Sequence, residues 1–320
     1  MSGVSRRAVT RGAIAVFVLS AITIIVWLLL DPSFSTPSAN QVGLIDSDTI
    51  REASGLACSS LNAELLWTHN DSGGQPVLYA IDQTGHFRGS VRLAGVKNVD
   101  WEDIASFTLD GRAWLLVADV GDNNANRRNC MLHIVPEPDP AMLSPQNEVL
   151  SAVAWSIPIH YVKGPRDCEA VSVDPKEEKV YLLSKRTHPP EIFEVPLRLP
   201  PDHKVAPLTA VGTFTHVPRP SAWDKLWPVP TGRYRAQPTG MSFAPDGSTA
   251  AVLTYGQVLL LPRRPGQSWL TALTALPQIL PLSGVQQAEG ICFSQDGHAL
   301  FVTGEQKSAP LVRYRLSNAP

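Results

Sequence analysis

The chain has 320 residues, 44% of them hydrophobic, and carries 27 Lys and Arg against 29 Asp and Glu for a net charge of −2. That length holds one large domain or two ordinary ones, with enough apolar residues for a core. Without a basic excess the chain lacks the surface a nucleic-acid partner needs, which argues against that class of function.

In chain order, residues 1–11 carry Arg6, Arg7 and Arg11 and no acid, and read as a cytoplasmic basic tail. Within residues 12–30 lies "AIAVFVLSAITIIVWLLL", an unbroken apolar run about as long as a bilayer core is thick. The positive-inside rule makes this a transmembrane signal anchor with the C-terminal part exported. The expected localisation is the cell membrane, single-pass, with an extracytoplasmic C-terminal domain. A cleaved signal peptide is the rival reading, but its apolar region runs to only about 7–15 residues. Residues 31–40, rich in Ser and Pro, read as a linker, and residues 41–320 as the exported domain.

That domain repeats. Five similar openings recur: "EASGLACS" from Glu52, "EDIASFTLDG" from Glu102, "EAVSVDPKE" from Glu169, "PTGMSFAPDG" from Pro238 and "EGICFSQDG" from Glu289. Alternating apolar residues mark strands, and Asp-Gly marks tight turns. Each opening is followed by a second and a third strand, and the first four by a fourth. The fifth repeat runs out of chain, and residues 42–49, "VGLIDSDT", form a lone strand able to complete it. No period-3.6 helical pattern appears after residue 31. The pattern predicts an all-β protein, a β-propeller of five four-stranded blades closed by an N-terminal strand in the last blade. Six blades is the alternative, with the extra one hidden in the long second and third repeats.

In a propeller the inner strand of each blade lines the central channel, and its start shares a rim with the end of the antiparallel second strand. The first set of rim residues is then Glu52, Glu102 with Asp103, Glu169 behind Asp167, Thr239 and Glu289. The second is His69, Asn70 and Asp71; Asp119, Asp122 and Asn123; Lys185 and Arg186; Tyr255; and Glu305. Crowded carboxylates repel one another and call for a cation, protonation or basic partners. Hard oxygen ligands of this kind suit Ca²⁺, with Mg²⁺ as the alternative. The metal-ligand candidates are Glu102, Asp103, Asp122, Asn123, Glu169 and Glu289. Asn70, Asp71, Arg127, Lys185 and Glu305 are candidates for holding a small anionic ligand. Acids at strand starts also bind turn amides, so turn capping stays open beside a shared pocket. Asp100 is read as a turn cap and Trp101 as packing between blades.

Nucleophile signatures are absent: there is no GxSxG, HExxH or P-loop. A metal-assisted or acid/base route is the expected chemistry if there is catalysis. Cys130 and Cys168 fall on the same rim of adjacent blades and are expected to form a disulfide, while Cys58 and Cys292 read as buried small hydrophobes.

The ordered series "SGLACS…LLWTHNDSGG…LYAID", "VDWEDIA", "VADVGDNNANRR", "DCEAVSVDP…VYLLSK", "PTGMSFAPDG" and "EGICFSQDG" resembles an exported bacterial β-propeller family common in actinobacteria. It is distantly similar to phytase-like, esterase-like and SdiA-regulated propellers. The resemblance implies acids and Asn around a metal at one rim, as in calcium-dependent propeller hydrolases. Blade four departs from the pattern: it begins Pro238-Thr239-Gly240, and its second strand ends Leu253-Thr254-Tyr255 where an arginine before Thr-Tyr is more usual. The expected function is a metal-dependent hydrolase of phosphate esters, lactones or esters. The alternative is a scaffold docking an envelope protein or glycan through an aromatic patch around Trp223, Trp227 and Tyr234.

Overall fold

The computed structural model describes residues 38–221, 226 and 231–316. The expected basic tail, membrane anchor and most of the linker lie outside the described residues. Among the described residues no helix is long and apolar enough to cross a membrane.

The described chain forms a five-bladed β-propeller. Blade 1 is β2 (Ala53–Cys58), β3 (Leu65–Asn70), β4 (Val77–Asp82) and β5 (Phe87–Ala94). Blade 2 is β6 (Trp101–Leu109), β7 (Arg112–Asp119), β8 (Cys130–Pro136) and β10 (Trp155–Tyr161). Blade 3 is β11 (Cys168–Asp174), β12 (Lys179–Ser184), β13 (Glu191–Pro196) and β15 (Gly212–Thr213). Blade 4 is β16 (Pro238–Phe243), β17 (Thr249–Thr254), β18 (Gln257–Pro262) and β19 (Gln278–Pro281). Blade 5 is β20 (Ala288–Phe293), β21 (Ala299–Gly304) and β22 (Pro310–Arg315), completed by the N-terminal β1 (Ala39–Leu44).

The closing strand is therefore present, but earlier than residues 42–49, and the last two residues of the expected linker belong to it. The six-blade alternative is not realised among the described residues. The extra length of the second and third repeats instead supplies β9 (Glu148–Ala152) and β14 (Ala206–Leu208). Each reaches back and adds in parallel to the outer edge of the preceding blade, β9 on β5 and β14 on β10. The Arg92–Glu148 ion pair, 2.6 Å, fastens β9 in place.

Sequence periodicity follows from blade packing. Inner strands such as β2 and β20 are buried along their whole length, polar Ser54 and Glu289 included. The outermost strand β9 alternates between exposed and half-buried positions. The core is a set of apolar layers, one at each blade seam, including a closing seam where Ile45, Ile50 and Leu56 meet Phe301 and Leu311. Trp101 is fully buried in the layer between blades 1 and 2. Burying such layers is the main stabilisation, at about 25 cal/mol per Å² of apolar surface.

Candidate functional site

The register places strand ends at one rim as antiparallel pairing requires: Trp101 faces Asp119, Cys168 faces Ser184 and Ala288 faces Gly304. Every inner strand also carries a bulge just inside this rim. In blades 2 to 5 the extra residue is Glu102, Glu169, Thr239 and Glu289. A bulge leaves one residue out of the ladder and re-aims its side chain. Glu102, Glu169 and Glu289 are 3%, 2% and 4% exposed. Glu52 does not join them; it is exposed. Blade 1 offers no acid there: its shift falls between Ser54 and Ala57, and Gly55, at φ +76°, has no room for a Cβ, which would stand 2.9 Å from Asp103 Cα.

Carboxylate oxygens converge in two groups that share Glu102: Asp71, Asp100 and Glu102, and Glu102, Asp167 and Glu169. Within each group the oxygens lie within 4.8 Å of one another. That spacing lets them surround one cation at the roughly 2.3–2.6 Å of calcium–oxygen bonds. Gly121 makes room for the first group, because a Cβ there would overlap Glu102 Oε1 and stand 2.6 Å from Asp100 Cγ. Asn98 Nδ2 donates to the carbonyls of Asn70 (3.0 Å) and Asp71 (2.7 Å), fixing the turn that carries Asp71.

The two groups differ in how they are neutralised. Lys185 Nζ donates to Glu169 Oε1 and, at 2.9 Å, to Tyr255 Oη. Arg186 Nε donates to Asp167 Oδ2 at 2.5 Å. Two protein cations thus serve the second group, whereas Asp71, Asp100 and Glu102 form no ion pair among the described residues. Asp71 Oδ1 and Glu169 Oε2 are buried with no hydrogen-bond partner. An unpaired buried carboxylate oxygen costs several kcal/mol in a desolvated setting, so it marks a place where a cation or proton belongs.

The protonation energetics agree. Burial pushes the Asp100 carboxyl up to about 6, with the Asp71 carboxylate adding to it. Burial, then the Glu169 carboxylate, pushes Glu102 well above the ordinary range. Glu169 is raised to about 8 by burial despite the Lys185 ammonium. Tyr255 Oη donates to Glu289 Oε1 at 2.7 Å, and Glu289 is held up at about 7, mainly by burial. Glu305, beside it, is held at about 8 by burial and the Glu289 carboxylate. Of the first group Asp100 alone lines a mouth of about 290 Å³, with Asp122, Asn124, Asn126 and Arg127 among its other walls.

Other expected site residues have structural duties. Asp103 is fully buried; its Oδ1 accepts the N–H of Ile104, and its Oδ2 those of Val171 (2.8 Å) and Met241 (3.1 Å). It ties blade 2 to blades 3 and 4 and is absent from both converging groups. Asp122 caps a turn, accepting the N–H groups of Asn126 and Arg127, and its own N–H donates to Asp167. Asn123 Oδ1 accepts from Arg186 Nη2. Asn70 holds the turn before β2 through Arg51 N and Thr49 O. Arg127 is paired with Asp119 at 2.6 Å. His69 is buried edge-on to Trp101, with ring centroids 5.6 Å apart.

The expected Cys130–Cys168 disulfide is not formed, and all four cysteines are free and buried. Cys130 and Cys168 sit in one apolar layer, where the Cys130 thiol points at the Val120 carbonyl. Burial pushes the Cys130 thiol up to about 12, which removes the reactive thiolate.

No family model and no curated protein matches the chain. Among solved structures it is similar to hydrazine synthase of Kuenenia stuttgartiensis, at 12% identity and a TM-score of 0.39, over 79% of this chain and 68% of that one. It is similar also to a chain of a nidogen/laminin complex, at 11% identity and a TM-score of 0.41, over 84% and 87% of the two chains. Neither likeness, at a TM-score below 0.5, bears on what the chain does.

Proposed function

We propose that the chain is a membrane-anchored, extracytoplasmic propeller that binds a calcium-class divalent cation at Asp71, Asp100 and Glu102 and hydrolyses an anionic ester there. One observation carries the choice of site. Three carboxylates converge with no ion pair among the described residues, next to Asp167 and Glu169, which Arg186 and Lys185 already pair. All-oxygen donors favour Ca²⁺ or Mg²⁺ over zinc. Such an ion, when bound, supplies Lewis-acid polarisation of the scissile group and a more acidic water. Lys185 holds Glu169 through Oε1 and leaves Oε2 unpartnered beside the site. The apolar run of residues 12–30 supports anchoring, and the mouth of about 290 Å³ at Asp100, with Arg127 and three Asn on its walls, supports a small substrate over a large one.

The scaffold reading rests on an aromatic patch whose Trp223 and Trp227 lie outside the described residues; Tyr234 is half-buried.

Thermal melting of the purified full chain, with Ca²⁺, Mg²⁺ or EDTA, tests the cation; turnover of a chromogenic phosphate ester, an acetate ester and a lactone tests the chemistry. Binding at a hundredfold excess over Kd stabilises by about 2.7 kcal/mol, a rise of several degrees. A melting temperature indifferent to both ions and EDTA overturns the site, and cation binding without turnover of any ester leaves binding without hydrolysis.

A further inference from the structure

Lys185, Arg127 and Arg186 stand at the acidic rim, and they differ in what they have left to donate. Lys185, 9% exposed, gives its ammonium to Glu169 Oε1 and Tyr255 Oη. Arg127, 16% exposed, gives Nη1 to the Gly121 carbonyl and Nη2 to the carbonyl and carboxylate of Asp119. These two are the residues expected from the sequence to hold an anion, and both are spent on protein acceptors. Arg186 is 44% exposed and donates Nε to Asp167 Oδ2 at 2.5 Å and Nη2 to Asn123 Oδ1. Its Nη1, which carries two N–H groups, has no partner among the described residues.

Arg186 is also held in position. The Lys185 N–H donates to the Asp167 carbonyl at 2.8 Å, which ties the turn after β12 to the residue before β11. On either side of that pair Ser184 Oγ and Thr187 Oγ1 bond to each other, and both accept the N–H of Glu191, at 2.7 and 3.1 Å. Asp167 Oδ1 accepts the N–H of Asp122 at 2.8 Å, so the carboxylate keeps its orientation toward Arg186. A planar guanidinium already fixed on two acceptors loses little further freedom on binding a third. Its surroundings place it beside the candidate site. Asn123 is on the wall of the mouth, and Asp167 has an oxygen within 4.8 Å of one on Glu102, the acid common to both carboxylate groups.

We infer that Arg186 binds the phosphoryl group of the substrate through Nη1, which makes the anionic ester a phosphate ester. This role rests on the cation site proposed at Asp71, Asp100 and Glu102. A phosphate ester has enough free oxygens to meet a cation through one and a guanidinium through the others, whereas an acetate ester or a lactone carries no anionic oxygen for the guanidinium to hold. The surrounding carboxylates repel an anion until a cation offsets them, so cation and anion bind with positive and reciprocal coupling.

The test is a calorimetric titration of phenylphosphonate, whose P–C bond resists hydrolysis, into the full chain with Ca²⁺ and with EDTA. Saturable binding is expected with Ca²⁺, about tenfold or more weaker in EDTA, and about tenfold or more tighter than that of benzoate, which has two oxygens in place of three. Arg186→Gln should weaken phenylphosphonate about tenfold or more. It should not weaken Ca²⁺ titrated alone, because it removes a positive charge from beside the carboxylates. Arg186→Lys, which keeps the charge and loses the planar fork, should fall between parent and Arg186→Gln. Arg128→Gln removes the same charge from an exposed position in the loop that carries Asn123, and should keep the parent affinity to within about threefold. No phenylphosphonate binding to the Ca²⁺-loaded chain, undiminished binding in Arg186→Gln, an equal loss in Arg128→Gln, or benzoate bound as tightly overturns the role of Arg186 and leaves the cation site standing. A chain that takes up no Ca²⁺ in its own titration, yet binds phenylphosphonate through Arg186, overturns the cation site alone.

Discussion

Gly121 and Glu102 are fitted to each other: the space a Cβ on Gly121 would need is filled by the Glu102 carboxylate, with the Asp100 carboxylate against the same spot. Gly121 is not in the left-handed region, so Gly121→Ala forces no backbone strain of that kind. It forces two carboxylates apart. Overpacking of this sort costs about 1–3 kcal/mol. The expected outcome is at least a tenfold loss of cation affinity in a calorimetric titration, beside a melting temperature in EDTA lowered by the few degrees that this cost implies. Unchanged affinity contradicts the packing argument.

Asp103 and Glu102 are neighbours with separate duties. Asp103→Ala leaves the amides of Val171 and Met241 unpaired in the core, and each buried orphan costs about 1–3 kcal/mol. Urea midpoints should fall clearly for Asp103→Ala and less for Asp103→Asn, which keeps one acceptor oxygen. Cation affinity of Asp103→Asn should stay within about threefold of the parent, because its carboxylate faces neither converging group.

Stability should fall as pH rises. Asp100 is held at about 6, Glu289 at about 7, and Glu169 and Glu305 at about 8, all chiefly by burial. These folded-state values exceed the ordinary carboxylate values near 4 that the unfolded chain has. Between about pH 4.5 and 8 the folded protein therefore holds more protons than the unfolded one. Stability declines through that window as these carboxyls ionise, and His69, held at about 4 by burial, offsets part of the decline below about pH 6.5. Melting in EDTA at pH 5 and pH 8 should show the higher temperature at pH 5. Saturating Ca²⁺ should flatten the difference by replacing those protons, and proton release should accompany binding.

β1 closes the ring by pairing with β22, from Ala39 opposite Tyr314 to Leu44 opposite Pro310. Without it β22 presents an open edge, the usual route to association between sheets. A chain beginning after Leu44 should melt lower and aggregate in light scattering, compared with one beginning at Ser38.

The propeller was legible because each blade repeats one pattern of apolar alternation and Asp-Gly turns, and because the last repeat lacks a strand that the first residues of the domain supply. Glu102 and Glu169 were legible for the same reason. The bulges were not. A one-residue slip at Trp101–Asp103 decides which of two adjacent acids joins the cluster, and alternation alone leaves that choice open. Glu52 aligned well by residue type, yet it precedes the strand, and the bulge of blade 1 falls further along, between Ser54 and Ala57. Asp100 and Asp122 exchanged roles: the expected turn cap joins the carboxylates, and the expected ligand caps a turn. Both are acids beside a turn, and only the path of the chain around Gly121 separates them. The back-reaching strands β9 and β14 were hidden in insertions, because parallel pairing to a preceding blade leaves no local mark.

The central claim is that Asp71, Asp100 and Glu102 hold a divalent cation. The most direct measurement is a calorimetric titration of Ca²⁺ into the full chain, the Glu102→Gln and Asp100→Asn variants, and Asp103→Asn as the control. The account predicts binding in the parent and the control and a loss of a hundredfold or more in the other two. No binding in the parent, or equal binding in all four proteins, would contradict it.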